Sequence, residues 1–129
     1  MVNGKIVQKA LKQALALENN PGLRTNNPPN DLSSLISQLI YDIFGGEILK
    51  TQMKKDWHFY NRIDGERVDF TRSEIVNSYP VKCFGDIPST PEEICNYFAQ
   101  EDYATFFMRF IWAFEEVTGL QKCRTDHMA

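Results

Sequence analysis

Asp64-Gly65 lies between two runs of alternating residues, and nothing else in the 129-residue chain restricts its folding so tightly. A two-residue loop of this composition takes a type I′ turn, and the turn leaves its flanking strands one register. Ile63 then faces Glu66, Arg62 faces Arg67, Asn61 faces Val68, Tyr60 faces Asp69, Phe59 faces Phe70 and His58 faces Thr71. Opposed side chains share a sheet face. Trp57, Phe59, Val68 and Phe70 therefore make the core face, and His58, Tyr60, Asp69 and Thr71 the solvent face.

Around the hairpin, hydrophobic periodicity divides the chain into few elements. Ile6, Val7, Ala10, Leu11, Ala14 and Leu15 mark a helix over 5–18, which Asn19-Asn20-Pro21-Gly22 stops. Residues 25–30 form a rigid loop, with Asn30 or Asp31 as cap for a second helix over 32–44. In that helix Leu32, Leu35, Ile36, Leu39, Ile40 and Ile43 share one face, and Gly45-Gly46 ends it. A strand over 47–52 follows, then the hairpin, then an edge strand over 79–84 with Pro80 at its start. Thr90-Pro91-Glu92-Glu93 reads as an N-cap, Pro at N1 and Glu at N3 of a long helical region. Its stripe of Tyr103, Phe106, Phe107, Phe110, Ile111, Phe114 and Val117 is core, although surplus rings could also form a dimer face; Gly119 closes the helix. The order predicts an α+β fold. Residues 1–129 read as a single domain in which an antiparallel sheet of three to four strands packs against helices.

Charge and cysteine content narrow the partners. The net charge is −3, and 43% of residues are hydrophobic. A nucleic-acid binder would normally show a basic stripe, so nucleic acid is not expected. Residues 1–25 carry four bases against one acid, and 90–118 carry six acids against Arg109, which fits terminal helices that face different solvent or each other. No apolar run reaches the ~18 residues of a membrane span, and Lys5, Lys9 and Lys12 break up any signal-peptide pattern. Cys83, Cys95 and Cys123 are odd in number and lack CxxC spacing, which points to reduced thiols in a cytoplasm. Cys123 with His127 is too sparse for a metal site, so neither metal nor cofactor is expected. A monomer or weak homodimer fits this composition.

His58 and Asp69 are diagonal neighbours on one face, roughly 5–8 Å apart at Cβ. A carboxylate there can orient an imidazole, as in the second half of a nucleophile–base–orienter triad, or the two can form a plain surface pair. Ser33 and Ser34 fall in the first turn of helix 32–44, where free N–H groups favour an anion. Ser33 lies roughly 90° from the centre of the apolar stripe and Ser34 about 190°, so Ser33 looks towards the sheet and Ser34 towards solvent. Asn61 reads as a hydrogen-bonded structural residue and Trp57 as core or rim. Arg62 opposite Arg67 costs stability unless an acid intervenes, and could attract an anion. Cys83, near a Pro-containing edge strand, is a poor nucleophile, and Cys95 and Cys123 are packing and tail residues.

The stretch YDIFGGEILKTQMKKDWHFYNRIDGERVDFTR resembles the YunG-like family of small bacterial proteins over about residues 27–74. That family resembles in turn the papain and transglutaminase type of fold, with Cys at a helix start and His and Asp on adjacent strands. The resemblance implies His58 as base and Asp69 as orienter. Counting back from Gly45-Gly46 it puts the nucleophile at Ser33, where this chain has no cysteine. A hydroxyl needs a stronger push than a thiol. Ser33 is then a weaker nucleophile, the mark of lost activity with a retained binding cleft, or an engineered replacement. Two function classes follow: an amide or acyl hydrolase using Ser33, His58 and Asp69, or a domain that binds a peptide or small-molecule ligand or acts through protein contact.

Overall fold

The computed structural model describes residues 4–16, 29–53, 56–70 and 83–119. Helix α1 covers Gly4–Ala16 and α2 Pro29–Phe44. Strands β1 (Glu47–Gln52), β2 (Trp57–Ile63), β3 (Glu66–Val68) and β4 (Ile87–Ser89) form an antiparallel sheet in the order β3-β2-β1-β4. Helix α3 (Pro91–Ile94), a 3₁₀ turn over Cys95–Tyr97 and α4 (Gln100–Thr118) complete the described chain. The α+β class and the antiparallel sheet are as expected.

The turn does what its two residues dictate. Asp64 and Gly65 have φ of 52° and 80°, and Asn61↔Val68, Arg62↔Arg67 and Ile63↔Glu66 pair in the expected register. Gly46 is required for another reason: a Cβ there would stand 2.3 Å from the Arg62 carbonyl oxygen, so β1 can start beside β2 only without a side chain.

Helix α2 departs from expectation at its start and on its polar side. It begins at Pro29, whose fixed φ suits a first turn, so Asn30 and Asp31 lie inside the helix rather than capping it. Its apolar stripe packs on the terminal helices, and Ile63 of β2 and Val68 of β3 join it from the sheet. Leu35, Ile36, Leu39 and Ile40 join Val7, Ala10, Leu11 and Ala14 of α1 and Phe106, Phe110 and Ala113 of α4 in the main core. The opposite side lies on β2, so Ser33, Ser34 and Ser37 are all buried, and Ser34 does not face solvent. Residues 33, 37 and 41 recur every four positions, and the two small ones let the helix come close to the strand. Beyond them, Tyr41 joins Ile48, Phe59, Ile94 and Trp57 in a second cluster.

The solvent face of the hairpin is also covered. Tyr60 and His58 are buried, because residues 83–86 run across that face of the sheet. The Phe84 ring meets Tyr60 edge-on at 4.7 Å, and the Thr51 hydroxyl donates to the Cys83 carbonyl and accepts from the Gly85 N–H. Of the edge strand expected over 79–84, residues 79–82 lie outside the described residues and 83–84 are not strand; among the described residues the edge strand beside β1 is β4, with Pro88 at its centre. A proline on the last strand removes a donor from an edge that would otherwise template pairing.

The long helix is interrupted. Thr90 caps α3 as expected, its Oγ1 accepting the Glu93 N–H at 3.1 Å, but Phe98 is extended and α4 starts afresh at Gln100. The break turns Phe98 inward to stack on Tyr103, 5.4 Å between centroids. Gly119 closes α4, donating to the Glu115 carbonyl. Cys95 is exposed rather than packed, with its thiol donating to the Glu92 carbonyl.

Candidate functional site at the open end of strand β2

Strand β3 is shorter than its partner, and the site is built where it stops. It ends at Val68, so Asp69 and Phe70 leave the ladder. In an antiparallel pair the strand N–H groups turn outwards at alternate residues. Phe59, which a longer β3 would have met at Phe70, donates its N–H instead to Ser33 Oγ at 3.1 Å. A helix side chain thus takes over the acceptor that the strand no longer supplies. Two residues along, Asn61 Nδ2 donates to the Ser37 carbonyl at 3.1 Å and more distantly to the Glu47 carbonyl at 3.4 Å, so its expected structural role holds.

Asp69, released from the ladder, turns to His58. Its Oδ2 lies 2.7 Å from His58 Nε2, with both side chains under a tenth exposed. An ionised carboxylate only accepts, so with Asp69 charged the ring hydrogen sits on Nε2 and Nδ1 is the other end of the imidazole. The His58 ring stacks near Tyr60, 6.0 Å between centroids. The expected His58–Asp69 approach is therefore present. Thr71, expected beside them, lies outside the described residues.

Ser33 stands apart from its expected setting. With α2 starting at Pro29 it lies in the second turn, where its own N–H belongs to the helical ladder rather than to the free N–H groups of the first. Alternation along β2 carries Phe59 and Asn61 to the α2 side and His58 and Tyr60 to the other. Ser33 and the His58–Asp69 pair thus come to β2 from its two sides, at the edge where β3 ends.

The arginine pair has a different fate from an anion site. Asp86 stands between the two: Arg67 Nη2 meets its Oδ2 at 2.8 Å and Arg67 Nε its Oδ1 at 3.1 Å, with Arg62 at 3.8 Å. Tyr60 donates its hydroxyl to Asp86 Oδ1 at 2.7 Å and accepts the Asp86 N–H. Arg67 and Tyr60 hold the Asp86 carboxyl below the usual carboxylate range. Burial, then the hydrogen bond to Asp86, pushes the Tyr60 phenol up to about 12. Sequence reasoning missed this cluster. Its one signal was Gly85-Asp86, a turn-forming pair in which Asp86 takes a φ of 55°. Among the described residues no three His, Cys, Asp or Glu converge as a metal site, and no helix is long and apolar enough to cross a membrane. Cys123 and His127 lie outside the described residues.

Comparison with known proteins agrees with the family resemblance of the sequence. The family model described as YunG protein matches residues 4–111. An uncharacterized protein YunG of Bacillus subtilis (strain 168) is 33% identical over 87 residues, covering 67% of this chain and 73% of the relative. No solved structure matches the chain. With the family model covering both the helix that carries Ser33 and the hairpin that carries His58 and Asp69, the chain belongs to the YunG family.

Proposed function

We propose that this is a binding domain that does no acyl transfer through Ser33. The papain- or transglutaminase-like core, in this reading, is a scaffold whose nucleophile position has been put to structural use. One observation carries the reading: the fully buried Ser33 hydroxyl accepts the Phe59 N–H, from a second-turn position without helix-end donors beside it. An attacking hydroxyl needs an accessible lone pair and an oxyanion site nearby. The ligand class is a peptide or small molecule, and the exposed Cys83 and Cys95 thiols suit a reducing cytoplasm. Ser33→Ala should lower stability by about 1–2 kcal/mol in urea unfolding, because it orphans a buried N–H. Fluorophosphonate probes should not label the wild-type protein. Time-dependent labelling mapped to Ser33 and lost in His58→Ala would overturn the reading.

A second reading, an amide or acyl hydrolase, is favoured by the 2.7 Å contact between His58 and Asp69. In it Ser33 Oγ bonds to the acyl carbon, its proton passes through His58 to the leaving group, and water then releases the acyl group. Ser33→Cys separates the two. In the binding reading the new thiol is buried and reacts with iodoacetamide more slowly than Cys83 or Cys95. In the hydrolase reading it reacts faster than both, with a pH profile that His58→Ala removes.

A further inference from the structure

Met108 is 51% and Trp112 60% exposed, one turn apart on α4. Side chains four apart on a helix lie side by side, so the two make one apolar patch. Exposed Glu101 and Glu116 stand at its two ends on the same outer side of α4, within roughly 80° of arc. Helix α1 lies along α4 through the main core, and its outer side carries exposed Lys5, Lys9 and Lys12 at positions i, i+4 and i+7. The outer helical layer therefore presents two adjacent ridges. One is acidic with an apolar centre; the other is basic, with long aliphatic stems.

We propose that this layer is a self-association face, on which α1 of one copy lies over α4 of a second copy and the reverse. Charge names the occupant. An acidic rim around an indole calls for a basic surface with apolar stems, and the chain carries one about a helix diameter (~10 Å) away. In an isologous pair each contact occurs twice, so two ridges of opposite sign side by side are self-complementary under a two-fold axis. Lysine stems cover Trp112 and Met108, with the ammonium groups over the ring or beside the glutamates. With so few large apolar side chains the interface belongs to the small class, below about 1,200 Å², and the dimer is weak. This face is remote in kind from the Ser33 region, and the inference holds under either reading of that serine.

Sedimentation velocity on the full chain between about 10 μM and 1 mM tests it. At low salt the average mass should rise with concentration from 14.9 kDa towards twice that value. Raising salt from about 50 to 500 mM should weaken association about tenfold, because the contacts are screened. Lys9→Glu and Glu116→Lys should each leave the protein monomeric, and their equimolar mixture should dimerise again, since only the mixed pair restores both contacts. Trp112→Ser, or Met108→Ser should the first misfold by circular dichroism, should also abolish the dimer. A wild-type chain that stays monomeric to 1 mM overturns the proposal. So does a dimer indifferent to these substitutions, or one lost with Trp112→Ser yet unaffected by salt and by charge reversal, which would pair α4 with α4.

Discussion

The two sides of α2 are both buried, yet they are held by different physics. Towards α1 and α4 the contact is made of aliphatic and aromatic volume: Leu35, Ile36, Leu39 and Ile40 against Val7, Leu11, Phe106 and Phe110. Towards β2 direction is added to the packing of Tyr41 on Phe59: Ser33 accepts the Phe59 N–H and Asn61 donates to the Ser37 carbonyl. The first side is non-specific in register and gains free energy in proportion to area. The second gains little net energy per bond but is costly to break, because a buried donor or acceptor left alone keeps its full desolvation penalty. Area attaches the helix to its neighbours; hydrogen bonds decide where along β2 it stops.

The largest expected effect lies on the apolar side. Phe110 is fully buried, and Phe110→Ala should cost about 3–5 kcal/mol in chemical unfolding, from lost transfer energy plus the cavity. Phe110→Leu should recover much of this, since volume and not direction is at stake. On the polar side Asn61→Leu keeps nearly the same volume, yet should cost about 1–3 kcal/mol, because the Ser37 carbonyl loses its donor. The comparison breaks if Asn61→Leu is neutral, or if Phe110→Leu costs as much as Phe110→Ala.

The same division decides what was legible in the sequence. Leu32, Leu35, Ile36, Leu39 and Ile40 announce a helix and a packed face by period alone, and Asp64-Gly65 announces the hairpin and its register. Neither says which neighbour takes the packed face. An amphipathic helix between a sheet and two other helices buries its polar side as well, so Ser34 was misread as exposed. The His58–Asp69 contact was legible because the two-residue turn fixes the register as far as Asn61↔Val68, and Asp69 is the next residue beyond it. That β3 would end at Val68, and that a serine would take over its missing acceptor, was not: strand length is set by tertiary competition, which no local pattern records. The Asp86 cluster was hidden for a similar reason. Its partners Tyr60 and Arg67 come from the hairpin, and only the path of residues 83–86 brings them together.

The smallest effect is one of slope against pH, and it separates the two covers of β2, the α2 side and the 83–86 side. The α2 side, through Ser33 and Asn61, is held by groups that do not titrate, whereas the other side is closed by Tyr60, Asp86 and Arg67. The folded Tyr60 phenol titrates at about 12 against 10.0 when unfolded, so the folded state keeps a proton that the unfolded state releases. Its contribution is fully present below pH 10 and is lost as pH rises through about 12. Asp86 has the opposite sign. Its folded value lies below the unfolded 3.8, so its contribution is present above that pH and is lost as pH falls through the folded value. One hydroxyl links the two ends, since Tyr60 donates to Asp86. Tyr60→Phe should therefore flatten stability against pH at both extremes, and it should lower stability most near pH 7, where both contributions are present in full. Tyr103, also pushed up by burial and by Asp42, should keep part of the alkaline slope. Urea midpoints from pH 3 to 11 for both proteins test this. An unchanged slope at both ends would mean that the 83–86 cover is held by the Phe84–Tyr60 ring contact and the Thr51 hydrogen bonds, without help from the Tyr60–Asp86 pair.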